Sequence, residues 1–387
     1  MFDESLPVVD LVDTIIRLAI EKGASDIHLE SMEDYLRVRF RLDGILSDQP
    51  QVSKKIMHQI ISRIKILSNI DIVQKRIPQD GKFKLTLKGQ LIDLRISTFP
   101  SVYGEKVVIR ILDRSKNKIN LEDIGFDFET LKIFKNLINL PTGFILVTGP
   151  TGSGKTTTLY SCLSQLHTPD KNIITLEDPV EYHIDGVTQG QIHPEVGFTF
   201  AKGIKSLLRQ DPDIAMIGEI RDKESAKIAI EAALTGHFVF STLHTNNSPG
   251  AIMRLMDMGI EPFLINASLT GVLAQRLVRK ICSNCVQTIE PTYQEQTLMD
   301  FLKIESRHIL KGMGCASCDE TGYKGRTGLF ELLVMTDELR SLIVEKPRFN
   351  DISFQATKDG MITLLQDATK KVQDGIITLQ ELTRVVS

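Results

Sequence analysis

The sequence predicts an α/β protein with a largely parallel sheet, preceded by a small α+β domain. Three observations carry this. Short, continuous apolar runs at residues 144–147, 172–176, 214–217 and 238–240 read as strands buried on both faces. Helical patterns separate some of them, notably residues 223–234, with Gly236 as the stop. Ahead of these, residues 1–113 mix helix spacing with alternating strands, the pattern of an α+β unit.

At 387 residues the chain has room for about two or three domains, each with its own core. Its 42% hydrophobic and 25% charged residues are ordinary for a globular protein. A net charge of −3 offers no global pull on nucleic acid or anionic lipid. No apolar run is long enough to span a bilayer. The acidic start Met1-Phe2-Asp3-Glu4 lacks the basic-then-apolar order of a signal peptide. A cytoplasmic protein is the expectation.

In the first domain, apolar residues at Val8, Leu11, Val12, Ile15, Ile16 and Ala19 share one helix face, and Gly23 ends it. Residues 35–46 alternate, with Leu36, Val38, Phe40 and Leu42 on one side and Arg37, Arg39 and Arg41 on the other. That is a half-buried strand running into an Asp43-Gly44 hairpin turn, with the arginines on its solvent face. A second helix follows at 54–67, then strands at 82–87, 92–97 and 106–112. Arg95 and Arg110 sit on these strands, where pattern alone makes them surface charges. Residues 114–123, polar and carrying Lys116, Asn117, Lys118 and Asn120, read as a linker.

The nucleotide domain, residues 124–280, opens on the strand at 144–147 and the run Gly149-Pro150-Thr151-Gly152-Ser153-Gly154-Lys155-Thr156. A helix pattern starts at Thr157. Strand, glycine-rich turn and helix in this order form a phosphate-binding loop. Glycines let successive N–H groups face inward around phosphate oxygens. Lys155 then bridges the β- and γ-phosphates of ATP, and the Thr156 hydroxyl serves Mg²⁺. Ligands of such sheets lie beyond the carboxyl ends of strands. Glu177 and Asp178 follow the strand ending at Leu176, Glu219 follows the strand at 214–217, and His237 and His244 flank the next. Four apolar residues, a glycine and then an acid, as at Glu219, is the shape of the second motif of a nucleotide site.

Cys282-x-x-Cys285 and Cys315-x-x-Cys318, 29 residues apart, suit four thiolates around a structural Zn²⁺. The segment between the pairs forms its own excursion, and the module runs over 281–325. Residues 326–387 read as a helical C-terminal region, with patterns at 339–344 and 361–372. Cys162 reads as a small buried apolar residue.

The chain is similar to the type II secretion and type IV pilus assembly ATPases along nearly its whole length. The likeness rests on Ser25-Asp26-Ile27-His28-Leu29-Glu30, Arg95-Ile96-Ser97-Thr98-Phe99-Pro100, Gly104-Glu105-Lys106 through Arg110, and the phosphate loop. It continues in Leu176-Glu177-Asp178-Pro179-Val180-Glu181, Arg209-Gln210-Asp211-Pro212-Asp213, Gly218-Glu219-Ile220-Arg221-Asp222, Leu234-Thr235-Gly236-His237 and Ser241-Thr242-Leu243-His244-Thr245-Asn246. The resemblance implies a RecA-like ATPase core, a PAS-like first domain and a hexameric ring motor. It makes Glu177 the base for the attacking water, sets Glu219 near Mg²⁺ and gives His237 the sensing of the γ-phosphate. Arg95, Arg110 and Arg209 match arginines that reach phosphates as the two domains close. It also implies a polytopic inner-membrane platform partner, a membrane-anchored adaptor, and a place on the cytoplasmic face of the inner membrane.

The cysteine module favours extension or secretion over pilus retraction, whose motors lack it. Longer relatives carry a further N-terminal domain, and here the first helix begins almost at Met1; a naturally short member and a shortened one are both open. Two other readings compete. A nucleic-acid motor would want basic grooves and stacking platforms, which 6% aromatic content without Trp does not favour. A nucleotide-gated switch with little turnover looks the same in sequence.

Overall fold

The computed structural model describes residues 2–113 and 119–386. The chain divides into two compact units, 1–118 and 119–387. The expected linker at 114–123 lies partly outside the described residues. Its described end is not free coil: Leu121 is buried in the core of the second unit, and the Ser161 hydroxyl donates to Ile119 O at 2.6 Å.

The first unit runs α1 (Val8–Glu21), β1 (Asp26–Ser31), β2 (Tyr35–Leu42), β3 (Ile45–Asp48), β4 (Val52–Ser53), α2 (Lys54–Leu67), β5 (Gln79–Leu87), β6 (Gln90–Ser101) and β7 (Gly104–Asp113). Its antiparallel sheet has the order β3-β2-β1-β7-β6-β5, with β4 also pairing β2. Asp43 and Gly44 both take positive φ, as a tight hairpin turn requires. Leu36, Val38 and Phe40 join residues of α1 and α2 in one core. Arg37, Arg39 and Arg41 take the opposite face, where carboxylates meet them: Arg37 with Asp48 at 2.7 Å, Arg39 with Glu30 at 2.7 Å, Arg41 with Asp26 at 3.6 Å.

The second unit begins with α3 (Phe128–Ile138), β8 (Gly143–Thr148), α4 (Lys155–Leu166), β9 (Ile173–Glu177), β10 (Thr188–Gln191), α5 (Phe200–Leu207), β11 (Ile214–Ile217), α6 (Lys223–Leu234) and β12 (Phe238–Leu243). It continues with α7 (Ser248–Asp257), α8 (Pro262–Ser268), β13 (Leu269–Ile281), β14 (Val286–Ile289), α9 (Tyr293–Phe301), β15 (Ile309–Gly312) and β16 (Tyr323–Val334). Four helices close it: α10 (Asp337–Val344), α11 (Phe349–Lys358), α12 (Leu364–Gln373) and α13 (Leu379–Val386). The sheet order is β10-β9-β11-β12-β8-β13-β16, parallel except at β13–β16. Core residues fill both of its faces.

Two strands differ from expectation. β13 pairs β8 and continues the sheet past the phosphate turn. Residues 326–334, expected within a helical tail, belong to β16, whose burial against β13 outweighs any helical spacing in so short a run. The β14–β15 hairpin and α9 form the excursion between the cysteine pairs.

Candidate functional site

β8 ends at Thr148, and the chain turns back into α4 at Lys155. Gly149, Gly152 and Gly154 take φ of 149°, 79° and 90° on the way, a region that side chains avoid. A Cβ on Gly149 would lie 2.5 Å from Gln275 O, so the turn is also pressed against β13. The free N–H groups at the start of α4 favour an anion there. The Lys155 ammonium folds over the turn, donating to Gly149 O at 2.8 Å and Pro150 O at 3.1 Å. Burial lowers its pKa, Glu219 counters that, and Arg276 adds to it, so both charges act on this lysine. Thr156 stands exposed on the first turn of α4, and Thr157 beside it is half-buried. Residues 149–157 thus form a glycine-built cradle whose N–H groups and lysine suit an anion, with the Thr156 side chain exposed at its edge.

Glu219, just past β11, pairs with Arg221, and its Oε2 lies 3.4 Å from His244 Nε2. Thr245 and Thr148 share a 2.7 Å hydroxyl contact, tying the histidine loop to the strand that carries the turn. Arg276 Nη2 donates to Asn246 O at 2.8 Å from the other side. Glu177 is buried and accepts three donors: the Tyr160 hydroxyl, Thr175 Oγ1 at 2.6 Å and Gln189 Nε2 at 3.2 Å. Burial raises its pKa against the pull of those donors.

Two expected site residues lie elsewhere. His237 precedes β12, its carbonyl accepts from Gly143 N at 3.3 Å, and its Nδ1 faces Ala232 O at 3.0 Å. Gly143 starts β8, so His237 stands at the amino edge of the sheet, six residues of β12 or about 20 Å from the loop. His244, at the carboxyl end of that strand, is the histidine this chain brings to its own cradle. Arg209 follows α5, donating to Lys205 O at 2.8 Å and Ser206 Oγ at 3.2 Å. The next residues meet Asn172 at the amino end of β9, so Arg209 is also at the far edge. Neither contributes to the cradle of its own chain.

In the first unit, Arg95 and Arg110 are direct cross-strand partners on β6 and β7. Both line a cleft of about 580 Å³. Arg110 Nε donates to Asp26 Oδ1 at 3.1 Å and remains well exposed. Lys82 pairs opposite Arg95 on β5 and lines the same cleft, a third cation that single-strand periodicity could not reveal. The other missed residues, Gln275 and Arg276, signal themselves only as polar groups interrupting an apolar run.

The four cysteine sulfurs converge within 4.8 Å of one another. Separations of 3.9 Å (Cys282–Cys315) and 3.8 Å (Cys285–Cys318 and Cys315–Cys318) match the roughly 3.8 Å expected of four thiolates about 2.3 Å from one zinc ion. Amides of Cys315 and Gly322 point at Cys318 Sγ, at 3.3 and 3.2 Å. Burial opposes the Cys318 thiolate, but these donors outweigh it and lower its pKa to about 7; burial raises Cys285 to about 12. The cluster fits a closed, structural metal site.

The chain is 46% identical over 385 residues to the type II secretion system ATPase E of Vibrio cholerae, covering 99% of this chain and 76% of that protein. It is 46% identical over 384 residues to the type IV pilus assembly ATPase PilB of Myxococcus xanthus, covering 98% and 68%. Among solved structures, the pilus retraction motor PilT with bound ADP matches with a TM-score of 0.62 at 26% identity, covering 96% of this chain and 95% of that one. The model of the family described as type II/IV secretion system protein matches residues 2–384. This chain belongs to that family.

Proposed function

We propose that this ATPase of the type II/IV secretion family is a homohexameric motor on the cytoplasmic face of the inner membrane. Its turnover drives type II protein secretion or assembly of a type IV pilus or pseudopilus. The observation that carries the reading is the convergence of Lys155, Glu219 and His244 on one glycine-built turn, with the cysteine cluster in the same unit. Such a constellation supports hydrolysis and not binding alone.

In this reading residues 149–157 hold the triphosphate, and Lys155 leaves the loop carbonyls for the β- and γ-phosphates. Mg²⁺, held through the Thr156 hydroxyl with Glu219 near it, would neutralise phosphate charge. Glu177 takes the proton of the attacking water, exchanging its Tyr160 contact for it; a raised pKa suits a base. His244 reports the γ-phosphate to the loop that Thr245 anchors on Thr148. Arg95, Arg110 and Arg209 supply guanidinium charge to phosphates, of this subunit or a neighbour, and that demand closes the ring subunits during the cycle. Zn²⁺ on Cys282, Cys285, Cys315 and Cys318 would brace the excursion. The partners are a polytopic platform protein of the inner membrane and a membrane-anchored adaptor. Among the described residues no helix is long and apolar enough to cross a membrane.

Steady-state hydrolysis by wild type, Lys155→Ala and Glu219→Gln, beside complementation of secretion or pilus assembly, tests this. Both variants should lose turnover and assembly together. Assembly retained without turnover would leave only a nucleotide-gated switch, and turnover stimulated by DNA would indicate a nucleic-acid motor.

A further inference from the structure

We propose that Gln275 is the positioning residue of the phosphate-binding turn, aiming the Gly154 N–H at the nucleotide. The proposal rests on the ATPase reading and adds a residue to it. The register of β13 on β8 pairs Ala274 with Thr148, so Gln275 comes beside Gly149 where β8 gives way to the turn. Its side chain is only 2% exposed and makes two hydrogen bonds there. Nε2 donates to Ser153 O at 2.7 Å, and Oε1 accepts from Thr158 Oγ1 at 2.8 Å. The Ser153 carbonyl can only accept, which fixes the amide's orientation.

The consequence follows from peptide geometry. In a trans peptide the C=O and the next N–H point in opposite directions. Drawing Ser153 O toward β13 therefore turns the Gly154 N–H the other way, to the concave side of the turn. A side chain at residue 154 would be strained: its φ is 90°, and a Cβ would press on Gln275 Nε2 at 3.1 Å. The Thr158 bond ties the same amide to the first turns of α4, so loop and helix start are set by one side chain. On the same strand, Arg276 Nη2 holds Asn246 O at 2.8 Å, and its Nη1 meets Gln275 O at 3.2 Å. Phosphate turn and histidine loop thus share adjacent residues of β13 as their support.

The test uses the full chain, with a fluorescent ADP analogue for affinity and steady-state ATP hydrolysis. Gln275→Glu keeps the shape and the acceptor for Thr158 but sets a carboxylate against a carbonyl oxygen. Burial and that oxygen both raise the new carboxyl's pKa. At about pH 9 this variant should bind ADP about tenfold more weakly than wild type, the size of effect of one lost buried hydrogen bond, with KM for ATP raised by a similar factor and kcat less affected. At about pH 6 the protonated carboxyl can donate to Ser153 O again, and most of the affinity should return relative to wild type. Gln275→Leu should be weak at both values. Wild-type affinity in Gln275→Leu, or a Gln275→Glu defect independent of pH, overturns the proposal. If Gln275→Glu does not fold, Thr158→Val should still weaken ADP binding about threefold, and no loss there overturns it equally. Absence of turnover in wild type would sink the ATPase reading, while the ADP comparison would still judge Gln275.

Discussion

His244 Nε2 lies 3.4 Å from Glu219 Oε2, and the two residues leave neighbouring parallel strands at the same edge of the sheet. His237 lies at the other end of the strand that leads to His244. In the proposed reading, a γ-phosphate contact in this chain's own cradle falls to His244. His244→Ala should lower kcat about a hundredfold to a thousandfold, as loss of one charge-stabilising donor does. His237→Ala should leave turnover within about twofold when subunits of this chain act on their own nucleotide. Paired kinetics on the two variants decide, and the reverse ranking would assign the sensing role to His237.

Glu177 is held by Tyr160, and that contact has a sign. Burial raises the carboxyl's pKa, and the hydrogen bonds from Thr175, Tyr160 and Gln189 lower it. Removing the hydroxyl in Tyr160→Phe takes away a lowering contribution, so the Glu177 pKa rises further. If Glu177 is the base, the acidic limb of the pH–kcat/KM profile, which reports the free enzyme where Tyr160 still holds Glu177, must move to higher pH in Tyr160→Phe, and Glu177→Gln must abolish the limb together with most turnover. An unmoved limb in Tyr160→Phe would remove Glu177 from proton transfer.

What was legible in the sequence follows from how local the cause is. The phosphate turn reads directly, because its backbone path demands glycines at fixed positions. The polar face of β2 also reads, since alternation is a property of one strand. Register does not: that Lys82, Arg95 and Arg110 form one row across β5, β6 and β7 depends on pairings between strands. β13 was hidden because Gln275, Arg276, Arg279 and Lys280 break its apolar run. Their partners are distant in sequence: Ser153 for Gln275, Asn246 for Arg276, Glu381 for Arg279. For the histidines the signal was present, since the carboxyl end of a parallel strand faces ligands and His244, not His237, follows the strand.

Arg95 and Arg110 are cross-strand partners on β6 and β7 that line one cleft, and Asp26 pairs with Arg110. Two cationic side chains lining one cleft favour an anion there. Arg95→Ala and Arg110→Ala should each cut kcat by about a hundredfold or more while nucleotide affinity at the phosphate turn changes little. Lysine should not restore either, because a point charge lacks the forked geometry. Full activity in Arg95→Lys would reduce the requirement to charge alone.

The cysteine cluster predicts one bound zinc ion per chain, measurable by elemental analysis after dialysis. Cys318→Ser should abolish stoichiometric zinc and lower the thermal midpoint, since this sulfur also accepts two backbone amides. Turnover per folded molecule should fall less than assembly function, because the cluster belongs to a braced excursion and not to the phosphate turn. Zinc-free protein of unchanged stability would make the cluster a redox or incidental feature.

Glu381 joins the C-terminal helix α13 to β13. Its carboxylate is fully buried, accepts from Arg279 N at 2.8 Å and from both the Arg279 and Arg384 guanidinium groups. Burial opposes ionisation, but hydrogen bonds from Arg384 and Arg279 outweigh it and lower the pKa to about 2. A carboxyl whose folded pKa is depressed stabilises the fold above its unfolded value, and that contribution fades as pH falls through the folded one. The window is therefore from about pH 4.5 down to about pH 2, and the contribution above it is on the order of 3 kcal/mol. Glu381→Gln keeps the shape but loses the charge. Denaturant midpoints should differ most from wild type near neutral pH, with the gap narrowing below about pH 4. A constant gap across that range would mean that shape and neutral hydrogen bonds hold α13 to β13, and that the charge contributes nothing.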